Sequence, residues 1–588
     1  MASRKRTTFR VRVYAALVAF VFGAGFLLLT AIGLPASGPA MPGKALFGVL
    51  TWLSLAAALS AGLFLTSDCV SEEKREGTLG LLFLTSLRGY DIVAGKLLAT
   101  SIRGFHALLA IVPVLAITLL MGGITGLRFA KTSVALVAAF LASLAVGLFV
   151  SALSRDSQKS MIATLVLILV LAGGGPAADE IIAAVRQRPI EPMLSLTSPV
   201  SLFVMAGDSG RAPFWSGLLG NAIVAGLLLG LTAVLIRHTW QQRAPARPRQ
   251  VQTWRQWWRF GGTGRRMALR QRLLDVNPVL WLACRERWQA VSLWVLALLL
   301  VGAFAALFID SSGGVLEIAW HFLAIPVILL LYLGTASEAT RLFVEARRSG
   351  LLGLMLSTPL SARRILEGQW RAWLRLFGLP LGLCLATLWV GMALVQHMTW
   401  SQMAIAARAA PIPGGATNVV TATNQTSGAT TTGMSVSKPT AVAAALGGFN
   451  PPGIAVALIM ASASILTVAA NLAALGWFGL YMGLTSKSAN LATLKTIVFV
   501  QVMPWFVIAF ASALAIPLLW LPQAIAGARL TPGAMMLWFP LIATAVNTLL
   551  YLAKDAAFIL YAKGKLKSEL RGGCTRAVGR VPPPGCTA

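Results

Sequence analysis

Long apolar runs that carry almost no charged residues limit the fold of this chain more than any other feature. About 20 mainly apolar residues can cross a bilayer, where their backbone amides are satisfied only inside a helix or a closed barrel. Such runs are too many here for a soluble core, and only 12% of the 588 residues are charged. The sequence therefore predicts an all-α integral membrane protein with about twelve transmembrane helices. The predicted spans are 13–34, 45–66, 93–121, 132–153, 161–175, 214–236, 289–309, 319–340, 365–396, 453–484, 491–520 and 536–557.

Several predicted spans are irregular. Run 13–34 follows basic residues, as a signal peptide would, but a signal core has only about 7–15 apolar residues. We therefore interpret this run as the first span. Pro113 and Pro380 predict kinks in the third and ninth spans, because proline removes a helix hydrogen bond. The fifth span is short and ends in glycines, and we expect the segment 176–213 after it to form a short helix at the outer mouth.

The basic residues predict the orientation of the spans. The chain has 49 Lys and Arg against 19 Asp and Glu, an excess that can indicate either nucleic acid or a membrane surface. With both termini in the cytoplasm, forty of the 49 fall on or near the cytoplasmic side, as the positive-inside rule requires. We infer contact with anionic membrane lipid and no nucleic-acid partner. The nine on the other side are Lys44, Arg128, Lys131, Arg186, Arg188, Arg211, Arg408, Lys438 and Arg529.

One stretch occurs twice. Glu72–Lys96 and Glu345–Gln369 match without gaps at an offset of 273 positions, with ten of twenty-five residues identical. Each copy begins with charges, breaks at a glycine, continues with leucines and then turns. A fixed-offset repeat of this kind indicates a duplicated architecture. A second similarity, between 147–150 and 479–482, has an offset of 332.

The two offsets predict the domain organisation. Their difference of 59 residues indicates an insertion, and 398–452 is rich in Ala, Thr, Gly, Ser and Pro, which is typical of a flexible loop. We therefore predict two parallel six-helix halves, a first half at 1–236 and a second half at 289–562, with the insertion outside the cell. The residues 563–588 form a cytoplasmic tail.

The linker 237–288 joins the two halves on the cytoplasmic side. Trp254, Trp257 and Trp258 alternate with arginines in it, a pattern typical of a helix in the lipid headgroup layer. An RNA-stacking patch is the alternative, and the membrane setting favours the headgroup helix.

The sequence contains no convincing catalytic or nucleotide-binding motif. Residues 38–45 resemble a phosphate loop but end in Ala45, where a hydroxyl is needed for Mg²⁺, and two prolines remove amides from the loop. Cysteines and histidines lack metal-ligand spacing. The charged residues in the spans, such as Glu338 and Asp555, are expected near cytoplasmic ends, with no relay at mid-membrane. We therefore predict a protein that is not an enzyme and holds no cofactor or metal.

The doubled stretch resembles a specific family. Its pattern E-x-x-R-x-G-T-L, between the second and third of six spans, is similar to the permease subunits of type-2 ABC exporters, closest to the multicopper-enzyme-maturation branch. In that family the stretch is a coupling helix that docks on a separate cytoplasmic ATPase, which binds ATP and Mg²⁺. The resemblance implies two ATPase partners, bound at 67–92 and 341–364, which we name the first and second charged segments. The implied docking residues are Glu72, Arg75, Glu76, Gly77, Thr78, Leu79, Thr85, Lys96, Glu345, Arg348, Gly350, Leu352, Thr358 and Pro359.

The resemblance also implies a bacterial inner membrane and a path lined by spans one, two and five of each half. The apolar character of spans two and five favours an amphipathic cargo, whose identity the sequence does not give. Two departures stand out: the halves are fused, and the second copy has Ser349, Leu351 and Gln369 where the first has Glu76, Thr78 and Lys96. The two ATPase contacts are therefore expected to be unequal.

Two alternatives remain open. An ion-gradient-driven secondary transporter of twelve spans would work without ATP and need an essential charge at mid-membrane. A membrane assembly factor would bind an ATPase without moving any solute.

Overall fold

Helices account for nearly all of the chain that the computed structural model describes, and no strand occurs in that part. The described residues are 42–84, 87–120, 122–154, 156–186, 193–207, 214–239, 263–284, 288–310, 313–357, 361–409, 453–486, 488–505, 507–509, 511–512 and 532–578.

The helices follow one another with short connections. Those of the first half are α1 (Pro42–Ala61), α2 (Cys69–Glu76), α3 (Thr78–Phe83), α4 (Gly89–Leu120), α5 (Gly126–Leu153), α6 (Ser157–Arg186), α7 (Pro199–Gly207) and α8 (Phe214–Thr239). The linker contributes α9 (Thr263–Leu274) and α10 (Pro278–Cys284). Those of the second half are α11 (Trp288–Asp310), α12 (Gly313–Arg348), α13 (Leu351–Ser357), α14 (Ala362–Ala409), α15 (Gly453–Thr485), α16 (Ala489–Ile497) and α17 (Pro532–Val578). Two π-helical turns, Gly62–Thr66 and Val498–Val502, extend α1 and α16.

The helices confirm an all-α membrane protein. Within the described residues, 10 helices are long and apolar enough to cross a membrane, and 11 if the bent helix α4 counts as one span. These eleven coincide with eleven of the twelve predicted spans. The remaining one, 13–34, lies outside the described residues, as do Trp254, Trp257 and Trp258 of the linker.

Two predicted boundaries were wrong, whereas the proline kinks stay predictions. Helix α4 bends by 41° between Ile102 and Gly104, and α4 and α14 both run on through their prolines, Pro113 and Pro380. Helix α14 also runs past residue 398 to Ala409, so the first part of the predicted insertion is helical. The break expected at the glycines of the fifth span is absent too, because α6 continues to Arg186.

The segment after α6 is organised by one buried carboxylate. Asp179, on α6, accepts hydrogen bonds from the amides of Leu194 and Ser195 at 3.1 and 2.8 Å, and from the Ser195 hydroxyl at 2.6 Å. These bonds satisfy the first amides of a 3₁₀ turn that leads into α7. The short helix predicted in this segment is therefore α7, and the preceding charged residues belong to the end of α6.

The fourth span is the central helix of each half. Helix α5 packs against α1, α4, α6 and α8, and α15 packs against α12, α14, α16 and α17. Glycines allow this close packing, as they commonly do between membrane helices. Gly147 of α5 lies against Gly62, and a side chain added to Gly483 of α15 would meet the Thr340 carbonyl oxygen at 2.6 Å.

The two halves meet through their second and fifth spans. Helix α6 packs against α12 and α16, and α16 also contacts the π-helical turn after α1. An apolar layer lies at this contact. Its members are Leu63, Phe64, Met161, Leu165, Leu333 and Ile497.

A buried ion pair lies in the middle of the last span. Lys554 and Asp555 have side chains only 7% and 1% exposed, and the Lys554 Nζ lies 2.7 Å from Asp555 Oδ1. Lys554 also donates to Asn471 Oδ1 at 3.3 Å and to the Val500 carbonyl at 3.1 Å, while Asn471 donates to Gln501 at 2.6 Å. Val500 belongs to a π-helical turn, a feature that frees backbone groups and is frequent at functional sites. Asp555 was expected near a cytoplasmic end, whereas the pair lies at the middle of the apolar helix Pro540–Ser568. Neighbouring helices supply acceptors for Lys554, and Asp555 is paired with Lys554 alone among the described residues.

The first half has an apolar cluster at the corresponding place. When the sixth spans are aligned at Asn221 and Asn547, Leu228 and Leu229 correspond to Lys554 and Asp555. Leu228 packs with Leu59 and Ile168. Leu59 corresponds to Tyr332 by the 273 offset, and Ile168 corresponds to Val500 by the 332 offset.

We expect Lys554→Met to destabilise the second half, because it leaves the Asp555 carboxylate buried without a counter-charge. Breaking such a pair costs about 3–5 kcal/mol. Replacing both residues with leucine, as in the first half, should cost much less. Thermal unfolding of the purified protein, followed with a thiol-reactive dye that reports exposure of the buried Cys284 and Cys384, measures both. An equal decrease of the unfolding temperature in the single and double variants would contradict this account.

Candidate functional site

The first charged segment is a helix–glycine–helix unit. Helix α2 carries the charges and ends at Gly77, whose φ of 74° is in the left-handed region that favours glycine. The Gly77 amide donates to the Glu73 carbonyl, which closes the last turn of α2. Helix α3 then starts at Thr78 and carries the leucines. The glycine therefore redirects the chain between a charged helix and an apolar one.

The second charged segment repeats this geometry. Helix α12 extends to Arg348, Gly350 has a φ of 72°, and α13 begins at Leu351. Gly77 and Gly350 are 273 positions apart, which is the offset of the repeat. The same backbone conformation thus occurs at equivalent positions of the two halves.

A basic side chain anchors each segment to the fourth span. The Lys74 ammonium donates to the carbonyl of Ala152, at the C-terminal end of α5. The Arg347 guanidinium donates to the carbonyl of Leu484 at 2.6 Å, and also to that of Ser486, at the end of α15. Carbonyls at a helix C-terminus have no partner within the helix and carry partial negative charge, so a cation stabilises them. Lys74 and Arg347 are equivalent by the 273 offset, and Ala152 and Leu484 by the 332 offset.

Each short helix has one leucine that faces inward and one that faces outward. Leu79 and Leu352 are only 3% and 7% exposed, so they hold α3 and α13 against the spans. Leu81 and Leu354 are 63% and 67% exposed. Both pairs are related by the 273 offset. The outer face can bind a partner, whereas the buried pair cannot reach one.

Two predicted docking residues of the first segment are paired within the chain. The Arg75 guanidinium binds both carboxylate oxygens of Asp68, at 2.9 and 3.0 Å. Lys96 forms an ion pair with Glu73. Glu76 and Gly77 are exposed, and Glu72 is half-buried. The exposed end of α2 is therefore the part that can meet a partner's charges.

In the second segment, Glu345 is exposed and pairs with Arg341, its Oε1 lying 2.6 Å from Arg341 Nε. Arg348 is the last residue of α12. The remaining predicted residues, Thr85, Thr358 and Pro359, lie outside the described residues.

A polar network links both charged segments to the contact between the halves. From the first segment, Asp68 accepts a hydrogen bond from Ser157 at 3.0 Å, and Ser157 also bonds Asn490 of the second half at 2.5 Å. From the second segment, Arg341 donates to Gln158 of the first half at 2.7 Å. The N-terminus of α6 thus touches both segments. Any displacement of one segment acts on the contact between the halves.

Sequence reasoning missed most of this network. Lys74 and Arg347 have the same charge but are different residue types, so they are missed when only identical residues of the two copies are counted. Ser157, Gln158 and Asn490 are polar residues at the start of a span, where nothing local indicates a partner 180 or more positions away. Only the fold brings them together.

Comparison with known proteins identifies a family for the first half. Residues 12–239 match the model of a family described as ABC-2 family transporter protein, a range that covers the first half. No curated protein matches the chain significantly. The match supports a membrane permease of an ABC transporter, a class of membrane subunits that pair with ATPase subunits.

We expect Gly77→Ala and Gly350→Ala each to destabilise the protein, because a left-handed conformation costs a residue with a Cβ about 1–2 kcal/mol. The matched controls are Gly80→Ala and Gly353→Ala, at equivalent helical positions with nothing within 4 Å of an added Cβ. These should be neutral or stabilising, because alanine favours helix over glycine by about 0.5–1 kcal/mol. Thermal unfolding compares the four variants, and equal shifts in both pairs would contradict a role for the left-handed glycines.

Proposed function

We propose that this chain is the permease of an ATP-driven type-2 ABC exporter, with two fused halves that together form one pathway. Separate ATPase subunits dock on the first and second charged segments, and ATP and Mg²⁺ bind to those subunits. The observation that carries the proposal is the doubled helix–glycine–helix unit, anchored by the same type of side chain and presenting the same exposed leucine. A partner with two equivalent docking grooves fits such a surface.

The network at the start of α6 suggests how docking acts on the pathway. Each charged segment is fixed to the end of its fourth span, so a force on the segment moves that span with it. The same segments hold Ser157 and Gln158, and through them the other half. Closure of the ATPase subunits would therefore shear these bonds and rock the halves apart. Domain motions of this kind pivot on a few residues at element ends.

The pathway itself would run between the halves. Their contact is made by spans two and five of each half, the spans that the family resemblance implies as its lining. The apolar layer at that contact suits an amphipathic cargo better than an ion or a sugar. With the positive-inside orientation, the charged segments face the cytoplasm of a bacterium and both termini lie there.

The secondary transporter remains the second candidate, because Lys554 and Asp555 form the buried mid-span charge pair that such a protein needs. It predicts transport in vesicles under an ion gradient without ATP. The assembly factor predicts ATPase binding without flux. Transport assays with and without ATP separate all three.

The first test is purification in mild detergent from native membranes. We expect a soluble protein with a complete phosphate loop to co-purify at a fixed ratio. A preparation without any ATPase that still transports under an ion gradient would favour the second candidate.

We expect the double variant Glu72→Gln, Glu345→Gln to insert normally but to stimulate the ATPase at least about tenfold less. Loss of one partner from a hydrogen-bonded charge pair at an interface costs about 2 kcal/mol or more, which exceeds the 1.4 kcal/mol of a tenfold change. ATP hydrolysis by the purified complex is the readout. The control is Glu180→Gln, an exposed carboxylate at the opposite end of α6. Unchanged stimulation in the double variant would remove the coupling role of these segments.

We expect a disulfide between cysteines placed at Ser157 and Asn490 to block transport, because their side-chain oxygens are 2.5 Å apart and the proposed motion separates them. Oxidation should abolish transport, and a reductant should restore it. Each single variant controls for pairing with the natural Cys69. Full transport by the oxidised double variant would show that this contact does not open.

A further inference from the structure

A cavity of about 620 Å³ lies beside the second charged segment. Helices α10, α12, α13, α14 and α15 surround it. Residues that line it near the charged segment are Arg341, Glu345 and Ser349, and those that line it further along α14 are Trp373, Leu376 and Phe377. From Gln369 to Phe377, eight steps along α14 cover about 12 Å, so the cavity extends from the second charged segment along the apolar part of α14.

The repeat explains why the cavity lies in the second half. In the first half, Glu73 and Lys96 form an ion pair at the equivalent place. Their counterparts are Ala346 and Gln369, and both line the cavity. Gly476, which also lines it, corresponds to Leu144 of the first half, a fully buried side chain. Three changes to smaller or uncharged residues thus open a space where the first half is filled.

The walls of the cavity are aromatic and apolar. The rings of Trp370 and Trp373 are stacked, with centroids 5.3 Å apart and planes at 20°. Trp370 also lies over Gly476, where an added Cβ would meet the ring at 3.2 Å. Flat indole surfaces of this kind bind hydrocarbon, and their width leaves room for one chain beside them.

The polar groups at the cavity indicate an uncharged head group. Arg341 and Glu345 neutralise one another, and Glu338 is hydrogen-bonded to Gln158. The buried Oε1 of Gln369, in contrast, has no hydrogen-bond partner among the described residues. A buried acceptor without a donor is costly, because its lost hydration is not replaced. A ligand that donates a hydrogen bond there would remove that cost.

We propose that this cavity binds a single-chain amphiphile with an uncharged, hydrogen-bond-donating head, taken from the cytoplasmic leaflet. Gln369 accepts from the head, and Trp370, Trp373 and Phe377 hold the chain. The volume lies within the range of about 300–1,000 Å³ that small-molecule sites occupy. That the amphiphile is cargo rests on the proposed function. The binding site itself does not depend on any ATPase.

The test is photolabelling of the full chain in lipid nanodiscs with a diazirine-bearing monoacylglycerol. We expect labelled peptides of α14, counted relative to a lipid-facing peptide of α8. The variant Ala346→Glu, Gln369→Lys rebuilds the first-half ion pair inside the cavity and should lower α14 labelling at least tenfold. The matched control Glu73→Ala, Lys96→Gln removes the ion pair of the first half, and it should leave α14 labelling unchanged. Equal α14 labelling in the wild type and the closed variant would overturn the site.

A second variant covers the case in which the closed variant does not fold. Gln369→Leu keeps the volume and removes the acceptor, so it should abolish the preference for monoacylglycerol over its dimethyl ether, which lacks the donor hydroxyls. An unchanged preference would overturn the role of Gln369.

Adding the ATPase and ATP distinguishes a transported cargo from a resident lipid. A cargo should leave the cavity when ATP is hydrolysed, so labelling of α14 should fall. A resident lipid should stay, so labelling should not change. Labelling that is lost in the closed variant but insensitive to ATP would overturn the cargo assignment and retain the lipid site. Failure of the proposed function would instead appear as the absence of an ATPase, with labelling intact.

Discussion

The free carbonyl groups at the C-terminal end of the fourth span hold the two charged segments of this protein in place. The last carbonyls of a helix have no partner within it, so they are free to accept a donor from another segment. Lys74 and Arg347 supply it. Because the fourth span is also the helix against which the other spans of its half pack, each charged segment is attached to the centre of a half rather than to its edge.

The halves share this scaffold and differ in their interiors. The left-handed glycines, the anchoring cations and the paired inner and outer leucines occur at equivalent positions, and they support a duplicated origin. Away from them, the first half has Leu228 in an apolar cluster where the second has Lys554, and it has an ion pair where the second has a cavity. Backbone geometry at the charged segments is thus kept while the interiors of the two halves differ.

Much of the fold could be predicted from the sequence, because a helix in a bilayer satisfies its own backbone and its length is set by the bilayer. The repeat likewise located Gly77 and Gly350, since only glycine adopts their conformation without strain. The continuation of α6 through residues 173–175 was not predicted, because the low helix propensity of glycine is a weak signal that a helix need not obey. Asp555 was expected near a cytoplasmic end and its partner Lys554 was not predicted, for a related reason. The acceptors of Lys554, Asn471 and Val500, come from two other spans, and no local pattern indicates them.

The opposite charges at Asp68 and Arg341 have a consequence for assembly. These residues occupy equivalent positions of the repeat, 273 apart, and each bonds to the start of α6, Asp68 through Ser157 and Arg341 through Gln158. A dimer of identical subunits would carry the same residue at both places and set like charges around one symmetry axis. A single gene that encodes both halves escapes that restriction, since each half can change without the other. Two copies of a segment with Asp68 alone, or with Arg341 alone, would lack this complementary pair.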